Sequence, residues 1–136
     1  MAKVFKGKVV IPGEQLADYF KAMKMAEAAR APFRLYLEGL ADEFAADLRS
    51  RYARNTVNKH HGTVIMFIEF LISYTDVESI QDITRGIANS HFRSWYKRKV
   101  WDSMTERDLK VGIRKFFHFL ASKRIEFDLK ILIGLS

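Results

Sequence analysis

The chain has 136 residues, the length of one ordinary domain, and 49% of them are hydrophobic, enough to bury a core. It has 23 Lys and Arg against 16 Asp and Glu, a formal net charge of +7, which many proteins without a nucleic-acid partner share, so the distribution of charge says more than its sum. It has no cysteine, which excludes disulfides and thiolate metal sites and fits an expected cytoplasmic location.

Residues 1–8 put no long apolar run behind their charges, so a signal peptide is not expected. No stretch approaches the roughly 18 apolar residues of a spanning helix, and no membrane partner is expected. Residues 3–11 are rich in β-branched side chains and stop at Pro12-Gly13, which predicts a short strand. Residues 14–30 are rich in Ala, Met, Lys and Glu and predict a helix, which Ala31-Pro32 is expected to end. The next helix is expected over 33–51, with Leu37, Leu40, Phe44 and Leu48 on one face. A helix over 56–74 follows, with Asn55 or Thr56 as its N-cap. After a connection at 76–81, Asp82-Ile83-Thr84 leads into a helix over 84–99, with Ile87, His91 or Phe92, and Trp95 facing inward. Asp102-Ser103 breaks it, and a further helix is expected over 105–123, striped by Leu109, Ile113, Phe116, Phe117 and Leu120. Phe127, Leu129, Ile131 and Ile133 alternate with other residues, which predicts a second strand. The two terminal strands would pair as a short β hairpin, or recruit a second copy into a homo-oligomer.

Charge is segregated along the chain. Residues 38–47 carry Glu38, Asp42, Glu43 and Asp47 and no base, whereas 49–63 carry Arg49, Arg51, Arg54 and Lys59 and no acid. Residues 85–99 carry Arg85, Arg93, Lys97, Arg98 and Lys99 without an acid, and 107–124 hold six bases against Asp108 alone. Such blocks aim a basic face at something anionic.

A repeat with an offset of 49 residues organises the second half. It superposes Thr56 on Thr105, Val64 on Ile113, Phe67 on Phe116, Ile68 on Phe117, Phe70 on Phe119 and Leu71 on Leu120. Each copy is a helix opened by a small polar residue and closed by a dense apolar end. Together with the Asp82-Ile83-Thr84 entry and Phe92, these motifs make residues 33–125 resemble the core-binding domain of the tyrosine recombinases, the SAM-like four-helix fold of phage integrases. The resemblance implies a mainly α architecture for 33–125, a four-helix bundle of two helix hairpins; the N-terminal strand and helix over 1–32 and the strand-like tail over 126–136 are read from the residue pattern and lie outside the resemblance. It also implies that the two repeated helices approach the major groove of double-stranded DNA, in DNA integration, recombination or its regulation. The pattern departs from the family at His60, where a Tyr is usual, and no His-x-x-Arg box occurs in the chain. The recombinase catalytic domain is therefore not represented, and no enzymatic activity is expected. The chain is either a stand-alone relative or a piece of a longer recombinase.

Residue chemistry leads to the same side. His60, His61, His91 and His118 do not fall at paired metal spacing, and no Gly-rich phosphate loop occurs, so neither metal nor cofactor is expected. Helix N-termini offer free N–H groups and positive dipole ends to phosphates. The candidate DNA-binding residues are accordingly Arg54, Asn55, Thr56, Asn58 and Lys59 at one repeat start, and Thr105, Arg107, Lys110 and Arg114 at the other. Arg and Asn there suit base edges, and Lys and Thr suit phosphates. The competing reading is a helical protein–protein interaction module whose basic face meets an acidic partner.

Overall fold

The structure is a computed structural model and describes residues 13–100, 102 and 104–135. It is mainly helical: α1 (Leu16–Arg49), α2 (Arg54–Tyr74), α3 (Phe92–Lys99), α4 (Glu106–Ser122) and α5 (Lys130–Leu135). A short 3-10 turn precedes α1, another at Ile80–Asp82 follows α2, and a π turn at Ile87–His91 leads into α3. The strand expected over 3–11 lies outside the described residues.

The long first helix corrects one expectation. Pro32 does not stop it; α1 runs through the proline to Arg49. Proline removes one i to i−4 hydrogen bond, which orphans the carbonyl of Ala28. Ala28 is exposed, so that carbonyl is open to solvent rather than stranded in the core. The turn just before it is pinned from outside, because Arg30 donates to the carbonyls of Leu71 (3.0 Å) and Val77 (2.6 Å). Good helix formers on both sides supply the rest. Leu37, Leu40, Phe44 and Leu48 then form the buried stripe expected for the second half of this helix, with Ala41 and Ala45 buried beside them.

A tight turn reverses the chain into α2. Two contacts define the antiparallel hairpin: the Arg34–Glu69 ion pair at 2.9 Å and the approach of His61 Nε2 to the Asp42 carboxylate at 3.4 Å. As residue numbers rise on α1, their partners on α2 fall. Phe67, Ile68, Phe70 and Leu71 are all at most 1% exposed, so a broad face of the α2 C-terminal half is covered, while Glu69 and Ser73 mark its open side.

One cover is α3. Phe92 meets the rings of Phe67 (5.2 Å) and Phe70 (5.8 Å), and Trp95 meets Phe70 (5.4 Å) and Tyr74 (5.3 Å). Of the alternatives His91 and Phe92, it is Phe92 that is fully buried. The π turn explains how Ile87 and Phe92, five residues apart, both reach the core: an ordinary helix would rotate them well apart, whereas the wider turn realigns them. Thr84 Oγ1 opens this helix by accepting from the Ile87 N–H at 3.2 Å.

The C-terminal segment is the second correction. Residues 130–135 are helical, not extended. The Asp128 carboxylate accepts from the Lys130 N–H at 3.0 Å and its carbonyl accepts from the Ile131 N–H at 3.0 Å, which starts a helical turn. Ile131 and Leu135, spaced i and i+4, are buried, while Leu129 and Ile133 are exposed. The alternation that suggests a strand is thus half of a helical pattern. With a helix here, the expected terminal hairpin loses its C-terminal strand. Asn89 fixes the segment by donating to the Gly134 carbonyl at 3.0 Å.

Candidate nucleic-acid interface

The two repeated helices lie side by side and parallel. Lys59 pairs with Asp108 at 3.2 Å, and a Cβ placed on Gly112 would meet Thr63 Cγ2 at 3.0 Å. Both contacts join residues separated by the repeat offset of 49. One turn further along, the rings of Phe67 and Phe117 stand 6.2 Å apart. Equivalent residues that touch across a parallel pair are the signature of local two-fold symmetry, so the sequence repeat is also a spatial one. Gly112 is the residue that permits the close approach, because Thr63 is fully buried and has nowhere to retreat.

This geometry brings the starts of α2 and α4 to one end of the bundle. The two starts differ. In α4, Thr105 is the N-cap: its Oγ1 accepts from the Asp108 N–H at 3.1 Å, and the Asp108 carboxylate accepts from the Thr105 N–H at 3.3 Å. These bonds, then the Lys59 ammonium, hold the Asp108 carboxyl below its ordinary value. In α2 the N-cap is Ala53, two or three residues before the expected Asn55 or Thr56, and no side chain caps the helix. Ala53 has extended backbone (φ −65°, ψ 155°), and Asn55 and Thr56 already lie inside the first turn. The first N–H groups of α2 therefore remain available to an anion.

Around that open start, Arg54, Asn55 and Asn58 are exposed and make no side-chain hydrogen bond or ion pair among the described residues. Arg49, Tyr52, Arg54 and Asn58 line a shallow depression of about 460 Å³ beside it. Thr56 is half-buried, and Lys59 spends its charge partly on Asp108. On α4, Arg107 is exposed and outside any ion pair among the described residues, whereas Lys110 is half-buried and lies in the field of Glu106. By helical rotation, Arg107, Lys110 and Arg114 lie opposite Asp108 and Gly112, and Arg54 and Asn58 lie opposite Thr63. The two sets therefore flank the paired helices from outside. Arg114 is not free: it is half-buried and donates to the Leu135 carbonyl at 3.4 Å, which ties α4 to α5. Thr105 is occupied as a cap.

Two further charged features, which the sequence shows only as members of charge blocks, belong to this end of the bundle. The Lys97–Lys99 run at the end of α3 is carried to this end of the bundle by the Lys97–Glu106 ion pair at 2.6 Å. That salt bridge, with the Lys97 hydrogen bond as its main part, pulls the Glu106 carboxyl below its ordinary value. Asp108 stands in the sequence as a stray acid in a basic block, although the Thr-x-x-Asp spacing is a capping signal.

His60 is 3% exposed, and burial together with the nearby Lys115 and Lys59 charges pushes its pKa below the ordinary value. Among the described residues no group of three His, Asp or Glu side chains is placed to hold a metal, and no helix is long and apolar enough to cross a membrane. No family model matches the chain, and neither does any curated protein or any solved structure.

Proposed function

We propose that this chain is a double-stranded DNA-binding module of the core-binding, SAM-like kind found in tyrosine recombinases, without catalytic activity of its own, acting in DNA integration, recombination or its regulation. The supporting observation is the parallel pairing of α2 and α4, through contacts at the repeat offset, which gathers two helix starts and their cations at one end. The open start of α2 is suited to a backbone phosphate, with Arg54, Asn55 and Asn58 beside it. Arg107 and Lys110 flank the other side, an arrangement that suits a clamp across a groove better than a single point of attachment. Base readout falls to Asn55, Asn58 and the arginines, and phosphate binding to the helix start and the lysines.

The test is fluorescence anisotropy of a labelled random duplex at about 50 and 200 mM salt. DNA binding through several phosphates predicts an affinity that drops by orders of magnitude across that range. Replacing Arg54 and Arg107 together by Ala should reduce the salt slope by about 0.9 for each phosphate that is no longer neutralised. No binding at the lower salt would overturn the reading and leave the acidic-protein partner as the alternative.

A further inference from the structure

The proposed interface leaves one positive concavity unused. Between the end of α1 and the outer side of α4 lies a cleft of about 570 Å³, walled by Leu48 and Phe119 and edged by Arg51, Tyr52, Lys115 and His118. Lys115 Nζ donates to Tyr52 Oη at 2.9 Å and stands 4.7 Å from the centre of the same ring. The Arg51 guanidinium lies 5.7 Å from that ring and is held by Asp47 at 2.5 Å.

The donors and acceptors of the lining favour an anion. Because the Tyr52 oxygen accepts from Lys115, its own proton points outward as a donor. Lys115 keeps two further ammonium protons, and Arg51 keeps N–H groups beyond the pair that reaches Asp47. His118 is exposed and adds a ring N–H. The carboxylate of the lining, Asp47, is already committed to Arg51. The lining thus converges several donors with one net positive charge, the complement of a phosphodiester. Lys115 also holds the Tyr52 hydroxyl below its ordinary pKa, first by the hydrogen bond and then by its charge, which strengthens it as a donor. Leu48 and Phe119 give the body attached to the phosphate an apolar surface to lie on.

We infer that the Arg51–Tyr52–Lys115–His118 cleft binds a phosphate group carried on an apolar or planar body, either a backbone phosphate of nucleic acid or a free nucleotide. The backbone source rests on the DNA reading above; the phosphate chemistry does not.

The experiment uses the full chain and amide NMR, titrated separately with adenosine monophosphate and with a duplex of about 16 base pairs, on the native protein, Lys115→Gln and Tyr52→Phe. Saturable shifts at residues 52, 115 and 118, weakened at least about 10-fold in Lys115→Gln, support the site. If they come with the duplex, and Lys115→Gln lowers the salt slope by about 0.9, the source is the backbone. If they come with the monophosphate alone, the source is a free nucleotide. Duplex shifts at residues 54–58 with silence in the cleft for both probes would overturn this inference and leave the DNA reading standing. Silence everywhere would overturn both. Should Lys115→Gln fail to fold, Tyr52→Phe carries the test, since it keeps the ring and removes one donor. Cleft shifts unchanged in that variant would then overturn the site.

Discussion

The two repeated helices share an apolar pattern but not a beginning. From Thr63 to Leu71 in α2 and from Gly112 to Leu120 in α4, the residues at the repeat offset of 49 keep the same spacing and meet in the same seam. At the starts the copies diverge. α4 opens with Thr105, Glu106 and Asp108, closed by a reciprocal cap and two carboxylates that neutralise its dipole. α2 opens with Ala53 and Arg54, uncapped and without an acid in its first turn. The common part of the repeat therefore builds the fold, and the divergent part makes one helix start a structural end and leaves the other as a receptive one.

The largest test breaks the shared seam. Phe67 and Phe117 are both fully buried and face each other across it. Replacement of either by Ala should cost about 3–5 kcal/mol, because each leaves a cavity that neighbouring helices cannot close. Urea unfolding would measure it. Similar losses are expected because both rings are fully enclosed; a cost below about 1 kcal/mol for one of them would show that its side of the seam closes over the cavity.

A smaller effect is expected at the point of closest approach. Gly112→Val inserts a branched side chain where even a Cβ meets Thr63 at 3.0 Å. Overpacking of this kind costs about 2 kcal/mol, more than the intrinsic gain from replacing a helical glycine. The companion Thr63→Ala removes the opposing methyl group. Gly112→Val in that background should recover part of the loss in the same unfolding assay. An equal loss in both backgrounds would mean that the strain lies elsewhere.

These elements also show what the sequence makes legible. The α4 helix and its stripe of Leu109, Ile113, Phe116, Phe117 and Leu120 are readable because a 3.6-residue period follows a small polar residue, Thr105. Most of α2 is readable for the same reason, and its start is misplaced only because Ala53 carries no capping signal. The break expected at Pro32 fails because the local rule for proline omits Arg30, whose partners lie 41 and 47 residues away. The tail misleads because Ile131 and Ile133 fit period two, whereas the burial of Ile131 and Leu135 depends on a surface that exists only after α3 and α4 have packed. The candidate site is legible as a set of cations at two helix starts. Which of them are free is not: the pairing of Lys59 with Asp108 and the engagement of Arg114 by Leu135 are tertiary facts.

The contrast between the starts is sharpened by exchanging their character. Thr105→Ala removes the α4 cap and should cost about 1 kcal/mol, with duplex affinity little changed. Ala53→Asp supplies α2 with a cap it lacks and should stabilise the chain by about 1 kcal/mol. The same carboxylate would fill the anion position, so duplex affinity should fall while stability rises. Paired urea and anisotropy titrations read both quantities. If Ala53→Asp binds duplex as well as the native chain does, the α2 start is not where phosphate docks.

The finest difference between the copies is at His60, whose counterpart at the repeat offset is Leu109. Both are buried, at 3% and 1% exposure, but Nδ1 of His60 has no hydrogen-bond partner among the described residues. Burial first, then the Lys115 and Lys59 ammonium groups, lowers its folded pKa from 6.5, against a smaller opposing pull from Asp108. The unfolded chain therefore takes up a proton near pH 6.5 that the folded chain refuses. Stability is fully present above pH 6.5 and is lost as pH falls from there through the lowered folded value. Asp108, Glu106 and Glu69, whose carboxyls are also lowered, begin to cost stability only nearer their ordinary values of 3.8 and 4.5, so a window from about pH 7.5 to 5 isolates the histidine. His60→Leu makes the two copies alike at this position and should flatten the melting temperature across that window, with little change at its upper end. A native-like slope in the variant would place the titrating group elsewhere.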